Sequence, residues 1–191
     1  ALRDRVVRGV GFGFLPASSA AANLSYDGGI GSLQAGRQIA VEADTVWTSV
    51  SGVLGSAVEW PENSRIRVTG NLTIPADGSL GIGAGTIVWV NPGVNITNSG
   101  RTEIEGTANE PVVFTAATQV APEQRAGAWG GWIMRGTSAQ LIANHAIMTG
   151  SGAAASFSFS PGSSHRSEQP LLFMHSGATV RMTNCALINN A

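Results

Sequence analysis

The feature that most constrains this chain is a recurrence of very short, apolar-alternating runs through its middle. From Val46 to Ala117 the runs are Arg65–Val68, Leu72–Ile74, Leu80–Ile82, Thr86–Val90, Val94–Thr97, Thr102–Glu105 and Val112–Thr115, punctuated by Gly, Asn and Pro. Each sets two or three apolar residues at alternate positions, the two-residue period of a strand. None has the length or the 3.6-residue period of a helix. The runs also resemble one another at a fixed lag. Asn71-Leu72-Thr73-Ile74 and Asn95-Ile96-Thr97 are 24 residues apart (71 to 95), and Ile87/Trp89 and Val112/Phe114 are 25 apart (87 to 112). A period in the twenties with several strands in it predicts a solenoid whose every period is one coil. Leucine-rich repeats share the period but need a Leu/Asn template that is missing. A β-sandwich does not require neighbouring segments to match at a fixed lag.

A second internal match extends the pattern. Leu141-Ile142-Ala143-Asn144-His145-Ala146-Ile147 resembles Val180-Arg181-Met182-Thr183-Asn184-Cys185-Ala186-Leu187 when Asn144 is set on Asn184, a lag of 40 (144 to 184). That is too long for one coil. The excess is assigned to Gly150–Pro170, a Gly/Ser/Ala-rich stretch without alternation that reads as an inserted loop. Asn at a turn stacks on the Asn of the next coil because its amide both donates and accepts. On that alignment His145 and Cys185 share one inward column. Residues 1–45 lack clear element signals and read as an irregular N-terminal segment or the end of a preceding domain. Residues 46–191 read as the solenoid, incomplete at its C-terminus. The chain starts at Ala1 and stops at Ala191 just after an apolar run, so both ends read as cut.

Charge narrows the function classes. Only 12% of residues are charged, the net charge is −1, and all 11 basic residues are Arg. Neither a basic nucleic-acid surface nor a polybasic membrane patch is expected, because both need clustered positive charge. No apolar run approaches the roughly 18 residues of a membrane span. One cysteine, Cys185, excludes an internal disulfide framework.

The residues from about Ile66 to Asn190 resemble the right-handed parallel β-helix modules of large secreted bacterial surface proteins, the kind found beside lamin-tail-like or spore-coat-kinase-like domains. The most specific segments are Gly106-Thr107-Ala108-Asn109-Glu110-Pro111-Val112-Val113-Phe114-Thr115, Trp129-Gly130-Gly131-Trp132 and Thr183-Asn184-Cys185-Ala186-Leu187-Ile188-Asn189-Asn190. The resemblance implies an all-β, right-handed parallel β-helix in an extracellular or cell-surface setting. It implies no reaction, since lyases, adhesins and passive spacers share such a coil.

Candidate chemistry is sparse. Pectin-acting β-helices use clustered Asp for Ca²⁺ or acid/base work. The four Asp here (Asp4, Asp27, Asp44, Asp77) are scattered. Glu103 and Glu105 are the closest carboxylate pair. With Ile104 inward, both point outward about 7 Å apart; the spacing is compatible with inverting acid/base chemistry, but a solvated strand face is the favoured reading and no catalytic residue is assigned. His165 and Arg166 lie in the long loop beside Ser163, Ser164 and Glu168. A Ser–His–Glu set can be drawn there, although a Gly/Ser loop is a poor scaffold for a preorganised site. No His or Cys pair has metal-ligand spacing, so neither a metal nor a cofactor is expected. Cys185 reads as a small core residue.

Trp129 and Trp132, with His165 and Arg166 of the long loop, are the candidate binding residues, because exposed indoles stack on sugar rings and the loop presents polar side chains. The favoured competing reading has Trp89 and Trp132 filling the coil interior and Trp129 capping a corner, since a Trp-Gly-Gly belongs to the structure of the resembled family. Thr73 and Thr97, within sequon-like triplets, read as outward strand residues. Together these features predict a non-catalytic structural or adhesive segment of a larger surface protein or assembly, presenting loops and aromatics to a glycan or protein. Further coils, domains or subunits are expected to cap its C-terminal end. The alternative is a polysaccharide-active lyase or hydrolase whose catalytic residues lie partly beyond this chain.

Overall fold

A computed structural model describes residues 46–116, 128–152, 171–188 and 190. Residues 1–45 and 153–170, which include most of the expected loop, lie outside the described residues. Among the described residues every regular element is a strand: β1 (Thr48–Val53), β2 (Ala57–Trp60), β3 (Arg65–Ile74), β4 (Ser79–Gly83), β5 (Ile87–Val90), β6 (Asn95–Asn98), β7 (Arg101–Glu105), β8 (Val112–Ala116), β9 (Gly131–Arg135), β10 (Gln140–Asn144), β11 (Ala146–Thr149), β12 (Leu172–His175), β13 (Thr179–Thr183) and β14 (Ala186–Ile188). All their pairings are parallel.

The strands wind into coils with three faces. The second half of β3 stacks with β6, β9 and β12 on the first face, and β2, β4, β7, β10 and β13 form the second. The first half of β3 stacks with β5, β8, β11 and β14 on the third. β3 bends through Thr69-Gly70-Asn71 and so joins the first and third faces into one nine-stranded sheet. β1 lies along the whole of β3 at the N-terminal end. The chain is therefore a parallel β-helix, as its short periodic runs predict.

Alternation fills the interior. Leu72, Ile96, Trp132 and Leu172 stack in one inward column, Leu80, Thr102, Leu141 and Val180 in a second, and Val88, Phe114, Met148 and Leu187 in a third. Phe114 meets Trp132 edge-on, with centroids 5.4 Å apart, a favourable aromatic geometry. Each large side chain enclosed this way contributes roughly 1.5–3 kcal/mol relative to exposure. Side-chain amides tie coils together at the corners: Asn95 N donates to Asn71 Oδ1 at 2.9 Å, and Asn98 Nδ2 donates to the Gln140 carbonyl at 2.9 Å.

The register corrects two sequence alignments. The lag of 24 on the first face holds (Leu72 to Ile96). On the third face Val88 pairs with Phe114 and Ile87 with Val113, a lag of 26 rather than 25. One residue reverses the facing of a strand side chain, so Trp89 turns outward instead of filling the interior. In the later match His145, not Asn144, is opposite Asn184, because Asn144 pairs with Thr183 at a lag of 39. The Asn184 amide still reaches Asn144 Oδ1 at 3.4 Å. His145 therefore leaves Cys185's column.

Candidate functional site

The outward wall of the second face carries the carboxylates. Ile104 is buried and turned inward, which sends Glu103 and Glu105 to the surface of β7. Arg101, two residues earlier on the same side of the strand, donates to the Glu103 carboxylate. That hydrogen bond, and secondarily the charge of Glu103, raises the Arg101 guanidinium above its ordinary value. Glu103 is thus engaged in a solvent-exposed ion pair, while Glu105 is exposed one step along. Two rungs earlier, on β2, the Glu59 side chain folds over Gly81 of β4, where a Cβ would collide with its carboxylate. The wall is an exposed, mixed-charge strand surface. Among the described residues no group of three or more His, Cys, Asp or Glu is placed to hold a metal ion. No helix among them is long and apolar enough to cross a membrane.

The aromatic candidates do not form a surface. Trp129 is 0% exposed, and its Nε1 donates to the Thr149 carbonyl at 2.8 Å. Trp132 is 1% exposed inside the coil against Phe114. Neither indole offers a face to a ligand, which corrects the expectation of exposed stacking residues. Trp89 is outward but covered: Trp47 packs against it at 5.0 Å between centroids, and the Arg67 guanidinium lies 5.6 Å from its ring. Half-buried Trp47 is the least enclosed indole among the described residues. His165 and Arg166, with Ser163, Ser164 and Glu168, lie outside the described residues. His175 stacks on Phe173 and meets the Ser176 hydroxyl. Cys185 is half-buried against the core.

The corner between the second and third faces does converge. It turns in the left-handed conformation in successive coils, at Asn63 (φ 61), Gly85 (φ 72), His145 (φ 48) and Asn184 (φ 54). Asn and His tolerate this region better than most side chains. In the coil of β7 and β8 the corner is instead a loop from Gly106 to Pro111. Gly106 N donates to the Asn144 carbonyl at 2.9 Å and Val112 N to the His145 carbonyl at 3.1 Å, while Gly85 N donates to Glu110 O at 3.0 Å. The loop is thereby held to the coils on both sides. A Cβ on Gly106 would lie 2.2 Å from the His145 carbonyl oxygen, so only glycine allows this approach. A cavity of about 230 Å³ opens beside the loop. The sequence places His145 in an inward column and assigns no role to Thr107, Ala108 or Pro111; the visible signal was the extra chain between Glu105 and Val112.

The architecture defines a parallel β-helix with a closed wall and small corner features. A family model described as a pectate-lyase like beta helix domain matches residues 52–161, and the chain belongs to that family. No curated protein and no solved structure matches it.

Proposed function

We propose that this chain is a non-catalytic structural segment of a larger extracellular surface protein or assembly, its wall facing a glycan or protein and its last coil receiving another coil. One observation carries this reading. Met174 and Leu187 occupy inward positions of the last described coil, yet are 47% and 49% exposed. Their ladder partners one coil earlier, Met134 and Met148, are 0% and 1% exposed. Among the described residues the other exposed large hydrophobics are Val46 and Val53 in the first coil. Among the described residues exposed apolar surface thus lies in the first and last coils, where a strand edge without a described partner invites parallel addition. Intact mass and native oligomeric mass, measured on material from the natural source, test the proposal. A chain larger than 19.6 kDa, or a stable assembly containing it, is expected. A free 19.6 kDa monomer overturns it.

A second reading, a polysaccharide-active enzyme completed by residues outside this chain, draws support from the family's pectate-lyase-like character and the outward Glu103/Glu105 pair. A lyase releases unsaturated sugar ends from pectin-type polymers, and Glu103→Gln abolishes them. A structural segment leaves polymer length unchanged.

A further inference from the structure

The cavity at the second-to-third-face corner is built from three successive coils. Its roof is the loop carrying Thr107 and Pro111, its floor is the outward side chains of Ile147 and Ala186, and its rim is His145 and Asn184. The floor is apolar: Ile147 and Ala186 pack with Val113 and Ile188 in a cluster separate from the coil interior. The roof is fixed, because its backbone is bonded to the coils before and after it. Thr107 Oγ1 accepts the Glu110 N–H at 3.0 Å, which leaves the hydroxyl proton free to be donated. The Asn184 Nδ2 group spans Asn144 Oδ1 and His145 Nε2, each at 3.4 Å, and no hydrogen bond among the described residues uses Asn184 Oδ1.

We infer that this cavity binds one neutral pyranose ring. A volume of about 230 Å³, that of roughly seven or eight liquid waters, accommodates a single ring. An aliphatic floor suits the C–H face of a sugar, and the polar groups around it suit hydroxyls. The His145 and Asn184 side chains are linked to each other, with Nε2 and Nδ2 3.4 Å apart, so together with Thr107 they present one polar edge beside the apolar floor. Among the described residues no carboxylate, Lys or Arg lines the cavity, so these residues offer no fixed charge to pair with a uronate. The left-handed backbone at His145 and Asn184 and the anchored loop set the groups before binding, which reduces the ordering cost. The site is independent of coil addition at the ends of the solenoid, so either proposal can fail alone.

The test is a methyl- and ring-resolved NMR titration of the full chain with methyl β-glucoside, methyl β-galactoside, methyl α-mannoside and methyl β-glucuronide. The expected result is saturable millimolar shifts at Ile147, Ala186 and His145 for at least one neutral glycoside, with the glucuronide no tighter. His145→Gly and Asn184→Gly keep the left-handed backbone while removing the polar groups, and each should weaken binding roughly tenfold, the effect of one lost hydrogen bond of about 1.4 kcal/mol. Ala186→Leu fills the cavity and should abolish binding with the backbone spectrum otherwise retained. The inference is overturned by an absence of shifts with every sugar. It is equally overturned by shifts confined to other parts of the coil, by a response that survives Ala186→Leu, or by a glucuronide that binds tighter than the neutral rings.

Discussion

The coil of β9, β10 and β11 and the coil of β12, β13 and β14 have the same register and nearly the same residue types, yet they differ in what covers them. Trp132, Met134, Leu141 and Met148 are sealed in the first; in the second, Leu172, Val180 and Met182 are half-buried and Met174 and Leu187 are open. A globular core is enclosed by the whole fold. In a solenoid, burial is supplied by the next rung, so identical side chains stabilise by different amounts according to their place along the axis.

The sharpest way to break that contrast is truncation at ladder partners. Met148→Ala should destabilise by about 2–5 kcal/mol through lost burial and a residual cavity. Leu187→Ala, one rung later, should stay within about 1 kcal/mol, as for surface changes. Chemical denaturation of the isolated chain measures both, and equal losses would break the comparison. Asn98→Ala comes next. Its buried amide donates to the Gln140 carbonyl and accepts from Gly100 N at 3.0 Å, so removal deprives a buried N–H and a part-buried carbonyl of these partners, a loss of about 1–3 kcal/mol. Gly106→Ala should cost about 1–3 kcal/mol by forcing the corner loop off the His145 carbonyl, and would show as selective deprotection of loop amides in hydrogen exchange. The smallest effect is expected at the Arg101–Glu103 pair, whose side chains are 46% and 43% exposed. Glu103→Gln should lower the unfolding midpoint only slightly, and less still at high salt, because solvent and salt screen such a pair.

The strands themselves were legible because alternation of apolar and polar residues leaves only one way to bury a face. Leu80–Ile82 and Thr102–Glu105 show this. The phase was not legible where alternation fails: Ile87–Val90 and Val112–Ala116 are buried on both sides, so their residue types do not say which set points inward. The one-residue slip in lag and the outward turn of Trp89 both follow from that. The open end was equally silent, since Met174 and Leu187 are the same kinds of residue that fill closed rungs. The carboxylate pair was read correctly as outward on the strength of Ile104, but its partner Arg101 emerged only with the side chains. The corner cavity depends on three coils meeting, which no local window of sequence contains.

Cys185 provides the most direct test of the claim that another rung covers the last coil. It is the one cysteine of the chain, half-buried against the core in that coil. Its alkylation rate should be compared between the isolated 191-residue chain and the protein taken from its natural source. Rapid labelling of the isolated chain with strong protection in the native material is the predicted result. Equal, rapid labelling in both would mean that the apolar end stays bare, and would contradict the account.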